Sequence, residues 1–328
     1  MKTLLLSKDD VENSLCMKDV IESVKKGYLA YNAGKVDQPD IVSMEIPEYN
    51  GETDIKSCCD KEGCTMSVKI ASGFYDNGKE NSLPSMIGMI LLFDAKTGFQ
   101  LCVMDGSLIT GVRTGAAGAI SCELLARPDS KTVAVIGAGG QARMQIYALR
   151  ELMDIEEVRV FSPSGRGLDA YKSDVEKTAR VRVVPCATAE EAMRCADIAI
   201  STTPSKKYLV GASLVRPGMH IVAVGADMAG KNEWDPAVFR GAKVVVDSVS
   251  QCVSRGETRN AIVSGVITES DISAEIGALL NGEKPLRQNP DEITIFDTTG
   301  MAIQDNVTAA GVYKYALEHG LGSSFEFI

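Results

Sequence analysis

The stretch Thr132–Leu149, TVAVIGAGGQARMQIYAL, decides the fold. Its apolar run Val133–Ile136 suits a strand buried in a parallel sheet. Gly137, Gly139 and Ala142 follow in GxGxxA spacing, and Ile146, Leu149 and Leu152 then recur on one helical face. In a dinucleotide-binding turn the first glycine lets the chain bend sharply out of the strand. The second lets backbone approach a pyrophosphate, and the alanine lets helix and strand pack closely. Phosphates would rest on the free N–H groups and the positive dipole end of the helix. A glycine-rich turn that holds no ligand is the bland alternative, but here strand, turn and helix come in the required order.

Downstream of this stretch, strands and helices alternate, as in a doubly wound parallel sheet. The pattern predicts strands at 133–136, 157–161, 181–184, 197–200, 220–224, 243–246 and 293–296. Helices are predicted near 140–152, 167–179, 188–194, 235–240 and 271–280. The end of the second strand separates NAD from NADP, because an NAD site places an acid there for the ribose hydroxyls. This chain has Ser162, Pro163, Ser164, Gly165 and Arg166 instead. Two hydroxyls and a guanidinium suit a 2′-phosphate, so NADP(H) is preferred and NAD(H) remains possible. An ordinary surface arginine on a solvated loop is the alternative. The loops Ser201-Thr202-Thr203-Pro204 and Gly225-Ala226-Asp227 follow later strands, where open α/β sheets bind ligands. Asp227 there is either a proton-handling group or a simple N-cap or turn residue.

Upstream, Ser7–Ala33 reads as two helices, with Ser7 as N-cap of the first and Val20, Ile21, Val24, Tyr28 and Tyr31 on the face of the second. From Gln38 to Met104 the period changes to two, with runs Ile41–Ile46, Met66–Ile70, Met86–Phe93 and Leu101–Met104 between turn clusters. This predicts a mixed, mostly antiparallel sheet. A Gly/Ala-rich helix over 108–125 follows, able to lie very close to another helix or a flat cofactor. Lys69, in the apolar run SVKIAS, is a buried functional lysine or an edge-strand lysine pointing outwards. Arg113, in the small-residue helix, meets a phosphate or carboxylate, or else forms a helix-surface salt bridge. Arg127–Ser130 marks the linker. The α/β chain thus divides into a Rossmann dinucleotide domain over 129–301 and an α+β domain formed by 1–128 with 302–328, the last helix (302–318) crossing back to the first domain.

Composition narrows the function classes. A net charge of −10 disfavours nucleic acid or an anionic membrane as partner. No apolar run is long enough to span a bilayer, and MKTLLLSKDDVENS is too short in its apolar part for a signal peptide. Nine cysteines, an odd count in a long chain, indicate a reducing cytoplasm. Cys58, Cys59 and Cys64 cluster without CxxC spacing, and the only histidines are His220 and His319, so no metal site is expected. The Asn306-Val-Thr308 sequon has no meaning in that compartment.

Four segments together carry a resemblance: VMDGSLITGVRTGAAGAI (103–120), VAVIGAGGQA (133–142), VGADMAGKNEWD (224–235) and EITIFDTTGMAIQD (292–305). They resemble the ornithine cyclodeaminase/μ-crystallin family, which includes the archaeal-type alanine dehydrogenases, nearly end to end. The resemblance implies a homodimer whose first domain forms the dimer contact and the substrate floor, and whose Rossmann domain holds NAD(H) or NADP(H). It implies Lys69 as the active-site lysine, Arg113 as the substrate-carboxylate arginine, and Asp227 as acid/base at the substrate nitrogen. It places Gly137, Ala138, Gly139, Gly140 and Gln141 at the pyrophosphate. Thr114 and Gly115 would lie along the cofactor, which Arg113, Thr202, Thr203, Val224, Gly225 and Asp227 would border, with Thr299 and Gly300 on the nicotinamide side.

Two departures are visible. Asp40 stands where many members carry Arg or Lys as an added carboxylate clamp. Lys56 stands where cyclodeaminases have glutamate and alanine dehydrogenases arginine, and it joins the substrate-binding set. An Asp40–Lys56 ion pair is expected over a contact of Asp40 with a basic substrate. The implied reaction is hydride transfer between nicotinamide and the α-carbon of a small amino or imino acid, as in an amino acid dehydrogenase or imine/ketimine reductase. The alternatives are an ornithine cyclodeaminase-type lyase that uses bound NAD catalytically and releases ammonia, and a non-catalytic NADPH and small-ligand binder.

Overall fold

The computed structural model describes residues 2–327. Its first part runs β1 (Thr3–Leu6), α1 (Lys8–Asn13), α2 (Met17–Asn32), β2 (Val36–Asp37), β3 (Val42–Ile46), β4 (Gly51–Asp60), β5 (Thr65–Phe74), α3 (Asn77–Glu80), β6 (Met86–Asp94), β7 (Gln100–Asp105) and α4 (Ser107–Leu125). Ser7 caps α1 as expected: its hydroxyl accepts from Asp10 N at 3.2 Å while the Asp10 carboxylate accepts from Ser7 N at 2.9 Å. This reciprocal box satisfies two donors that a helix start would otherwise leave unpaired. β1 and β4 went unpredicted. Both are short of local signal and are fixed by pairing, β1 with β7 in parallel and β4 with β5 over ten residues.

The second part runs β8 (Thr132–Ile136), α5 (Gly140–Leu152), β9 (Glu157–Phe161), α6 (Leu168–Ala179), β10 (Arg182–Cys186), α7 (Ala189–Met193), β11 (Ile198–Ser201), β12 (His220–Ala223), β13 (Lys243–Val246), α8 (Val249–Cys252), α9 (Gly256–Val263), β14 (Ile272–Glu275), α10 (Ile276–Leu280) and β15 (Thr294–Asp297). The sheet order is β10-β9-β8-β11-β12-β15-β13-β14, parallel throughout. The order reverses between β8 and β11, the switch point at which such sheets bind ligands. Helix was expected over 271–280, but its first half is β14, because ISAE completes the edge of β13. The segment near 235–240 tightens to a single 3-10 turn, Pro236–Phe239.

The chain closes with α11 (Ala302–His319) and β16 (Ser323–Phe325). Contacts divide it into two compact units, Met1–Arg113 with Met301–Ile328, and Thr114–Gly300. The first changeover falls inside α4, between Arg113 and Thr114, rather than at the turn after the helix. Its cause is close packing: a methyl at Gly115 would run into Met144 O, and one at Gly118 into Gln145 Oε1, both on α5. The small residues of α4 therefore admit a neighbouring helix, and Gln145 Nε2 donates to Thr114 O at 2.9 Å.

In the first unit the sheet order is β16-β1-β7-β6-β5-β4-β2, with β3 also paired to β4. Helix α11 packs across β4, β5 and β6 and against α2. Ile90, Leu92, Cys102 and Met104 meet Ala309, Val312 and Ala316 in this core. Residues of opposite parity on β3, β5 and β6 face away, leaving Val42, Met44, Ile70, Ile87 and Met89 exposed.

Candidate functional site

The first unit gathers its cations beneath α11. Register sets Lys56 of β4 directly opposite Lys69 of β5, and both are buried, Lys69 to 1% exposure. β5 lies between β4 and β6, so the edge-strand alternative for Lys69 does not hold. A lysine there needs an anion, and α11 supplies Asp305 from its first turn: Lys69 Nζ lies 2.7 Å from Oδ2. Arg113 of α4 is also buried, at 4% exposure, and its Nε donates to Asp305 Oδ1 at 2.9 Å. The helix-surface salt bridge considered for Arg113 is thus replaced by an internal one. Its Nη1 donates to Gln304 Oε1 at 2.9 Å, and Gln304 in turn donates to the Tyr28 hydroxyl. Nη2 has no hydrogen-bond partner among the described residues.

Electrostatics follow from that packing. Burial, then the charge of Arg113, push the Lys69 ammonium down to about 7, against the opposing pull of Asp305. Burial alone would raise the Asp305 carboxyl, but Arg113 and Lys69 outweigh it and hold it below the usual range. The expected Asp40–Lys56 pair is not formed. Asp40 is exposed in the irregular segment before β3, whereas Lys56 points to the Lys69 side of the sheet.

In the second unit, Gly137 takes φ +113°, which an L side chain rarely adopts, and a Cβ there would lie 2.8 Å from Thr202 Oγ1. Gly139 and Gly140 face open space, and Gly139 begins α5 without a side-chain cap. Gln141 Oε1 and Thr202 Oγ1 are buried with no hydrogen-bond partner among the described residues. Open backbone at a helix N-terminus fits a dinucleotide pyrophosphate, and an orphaned hydroxyl and amide oxygen fit its phosphate and ribose hydroxyl groups. The loop after β9 is held from within: Ser162 Oγ donates to Arg166 O at 3.0 Å, and Ser164 Oγ accepts from Arg166 N at 3.3 Å. The serines are engaged within the loop, and the Arg166 side chain is exposed.

Two buried acids, missed in the sequence, brace the remaining turns. Glu233 accepts from Thr203 N at 2.5 Å, Ser201 Oγ at 2.7 Å and Gly225 N at 2.8 Å. It thereby ties the loop after β11 to the one after β12, which runs through Val224 and Gly225. Asp247 accepts from Thr298 Oγ1 at 2.7 Å and Gly300 N at 2.8 Å, holding the turn of Thr299 and Gly300. Asp227 is half-buried, starts no helix, and accepts from Lys231 Nζ at 2.7 Å, so its N-cap alternative falls away. The signal for Asp305 and Gln304 was the polar pair in AIQD, set into an otherwise apolar helix start.

Comparison with known proteins agrees with this architecture. The chain is 37% identical over 328 residues to an alanine dehydrogenase of Archaeoglobus fulgidus, covering 100% of this chain and 99% of the relative. A solved archaeal alanine dehydrogenase dimer with bound NAD superposes with TM-score 0.94 at 35% identity, covering 100% of both chains. The Thermococcus litoralis Δ1-pyrroline-2-carboxylate reductase in complex with NADH and L-proline gives TM-score 0.95 at 36% identity, covering 98% of this chain and 99% of that one. A model of the ornithine cyclodeaminase/mu-crystallin family matches residues 1–320, and the chain belongs to that family.

Proposed function

We propose that the chain is an NADP(H)-preferring oxidoreductase that transfers a hydride between nicotinamide and the α-carbon of a small amino or imino acid. The observation that carries the reading is the buried Lys69–Asp305–Arg113 cluster, which leaves Nη2 of the guanidinium without a hydrogen-bond partner among the described residues. A carboxylate is the natural occupant of such an edge, because guanidinium and carboxylate match through two parallel N–H···O bonds. The nicotinamide supplies or accepts the hydride when bound. Arg113, Lys69 and Lys56 bind the substrate carboxylate and balance its charge. Asp227 exchanges a proton with the substrate nitrogen, while Glu233 and Asp247 keep the Thr203, Gly225 and Gly300 turns in place. Holding the reacting carbon in one orientation accounts for a large share of the rate. The non-catalytic alternative leaves these buried, mutually tuned charges without a purpose.

A homodimer built through the first unit is part of the same proposal, supported by the exposed apolar residues of β3, β5 and β6 and by the dimeric solved relative. No described helix is long and apolar enough to cross a membrane. A cytoplasmic location goes with the buried free thiols Cys58, Cys102, Cys122, Cys186 and Cys252.

A screen of 2-oxo acids with ammonia or methylamine, and of cyclic imines, should show oxidation of NADPH for at least one substrate. Ornithine incubated with catalytic NAD should release no ammonia, and release of ammonia would favour the lyase instead. The cofactor preference rests on Arg166 standing where an acid would select NAD. NADPH should bind about 10-fold more tightly than NADH, about 1.4 kcal/mol, within reach of one charge-assisted contact. Fluorescence titrations should show that Arg166→Ala removes most of that difference, and equal affinities in the wild type would refute it.

A further inference from the structure

We propose that Asp305 is the positioning residue of the substrate-carboxylate clamp: its two oxygens hold Arg113 by Nε and Lys69 by Nζ, so that Arg113 presents Nη2 and Lys69 keeps its ammonium in place for the substrate. This rests on the substrate reading given above. The geometry distinguishes the role from that of an ordinary core ion pair. Asp305 Oδ1 takes Nε and Gln304 Oε1 takes Nη1, so two sides of the guanidinium are fixed by neighbouring residues of one helix turn. A guanidinium fixed on two sides can meet a ligand only with its third. Gln304 is itself held by Met301 N at 3.0 Å and by the Tyr28 hydroxyl, so the frame behind Arg113 is rigid.

The charges around Asp305 can be enumerated. Arg113 comes from α4, Lys69 from β5, and Lys56 from β4; Cys58, also from β4, is neutral because burial pushes its thiol up to about 12. Asp305 is the carboxylate that favours the Lys69 ammonium, where burial, Arg113 and Lys56 all favour the neutral amine. Without it, Lys69 would lose its proton at a lower pH and Arg113 would lose the contact at Nε. Both effects weaken carboxylate binding, and the first of them depends on pH in a way that a purely structural role does not.

The test is calorimetry of L-proline, and of its carboxamide L-prolinamide, which lacks the carboxylate, on the full chain saturated with NADH, from pH 5.5 to 8.5. Asp305→Asn should weaken L-proline roughly 10- to 100-fold just below pH 7, where Lys69 keeps its proton in the wild type and loses it in the variant, with a smaller loss at pH 8, where Lys69 is already largely neutral in either protein. Prolinamide and NADH should bind as before. Asp305→Glu keeps the charge but displaces it, so it should keep the wild-type pH profile at reduced affinity; it also serves if the asparagine variant does not fold. L-proline affinity and pH profile within twofold of wild type in the folded variant would overturn the assignment. Failure of wild type to bind any carboxylate while binding NADH would overturn the substrate reading itself, and the role of Asp305 with it.

Discussion

Replacing Asp227 with asparagine should cut turnover by about 10²–10⁴-fold, the range for loss of a general acid–base group, while leaving cofactor affinity near normal. Asp227 lies beyond the carboxyl end of β12, in the turn that Glu233 holds through Gly225 N, and its side chain retains 44% exposure. Asparagine keeps the size and one acceptor for Lys231 but cannot take up a proton. The structural cost is small. A partly exposed i,i+4 pair is worth about 0–1 kcal/mol, so the melting temperature should barely move. Turnover and thermal melting of the same variant decide the matter. Near-normal turnover would remove Asp227 from the chemistry, and a large fall in melting temperature would make it a brace of the loop.

How far the sequence revealed this arrangement depends on the range of the interactions involved. The phosphate loop was legible because its determinants are local: Gly137 needs φ +113°, Gly139 needs open space, and Ala142 is fully buried within one strand-turn-helix unit. The division of the chain inside α4 was not, because the packing of Gly115 and Gly118 against α5 is visible only once the two helices meet. β14 was read as helix since ISAEIGALL carries a helical apolar period, which pairing with β13 overrides in its first half. Lys69 stood out as a charge in an apolar strand. Its anion did not, because Asp305 lies 192 positions from Arg113, and nothing local says which cations it will meet. Glu233 and Asp247 escaped for the same reason: each acts by accepting backbone N–H groups from loops remote in sequence. Asp40 was expected to pair with Lys56 on an ungapped reading of the segment while the strand that carries Lys56 had not been recognised, and the register of β4 puts Lys56, without Asp40, beside Lys69.

Arg113→Ala is expected to lower kcat/KM for the preferred imino acid by about 30- to 5,000-fold. That corresponds to roughly 2–5 kcal/mol, the range for truncating one partner of a buried, hydrogen-bonded charge pair. Two losses combine. The substrate carboxylate loses the Nη2 edge, and Asp305 Oδ1 loses its Nε donor at 2.9 Å, which leaves the carboxylate to Lys69. The second loss destabilises the fold as well, since Asp305 is 1% exposed and water reaches it poorly. Arg113→Lys separates the two. It restores a positive charge near Asp305, and so should recover most of the melting temperature. Its ammonium cannot contact Asp305, Gln304 and a ligand in one plane, and so should recover little of kcat/KM. NADPH affinity should stay within a few-fold of wild type in both variants. If Arg113→Lys instead regains nearly full kcat/KM, the planar edge is not what the substrate needs. If Arg113→Ala melts early yet keeps kcat/KM within threefold, Arg113 is a structural partner of Asp305 and the carboxylate is bound by other groups.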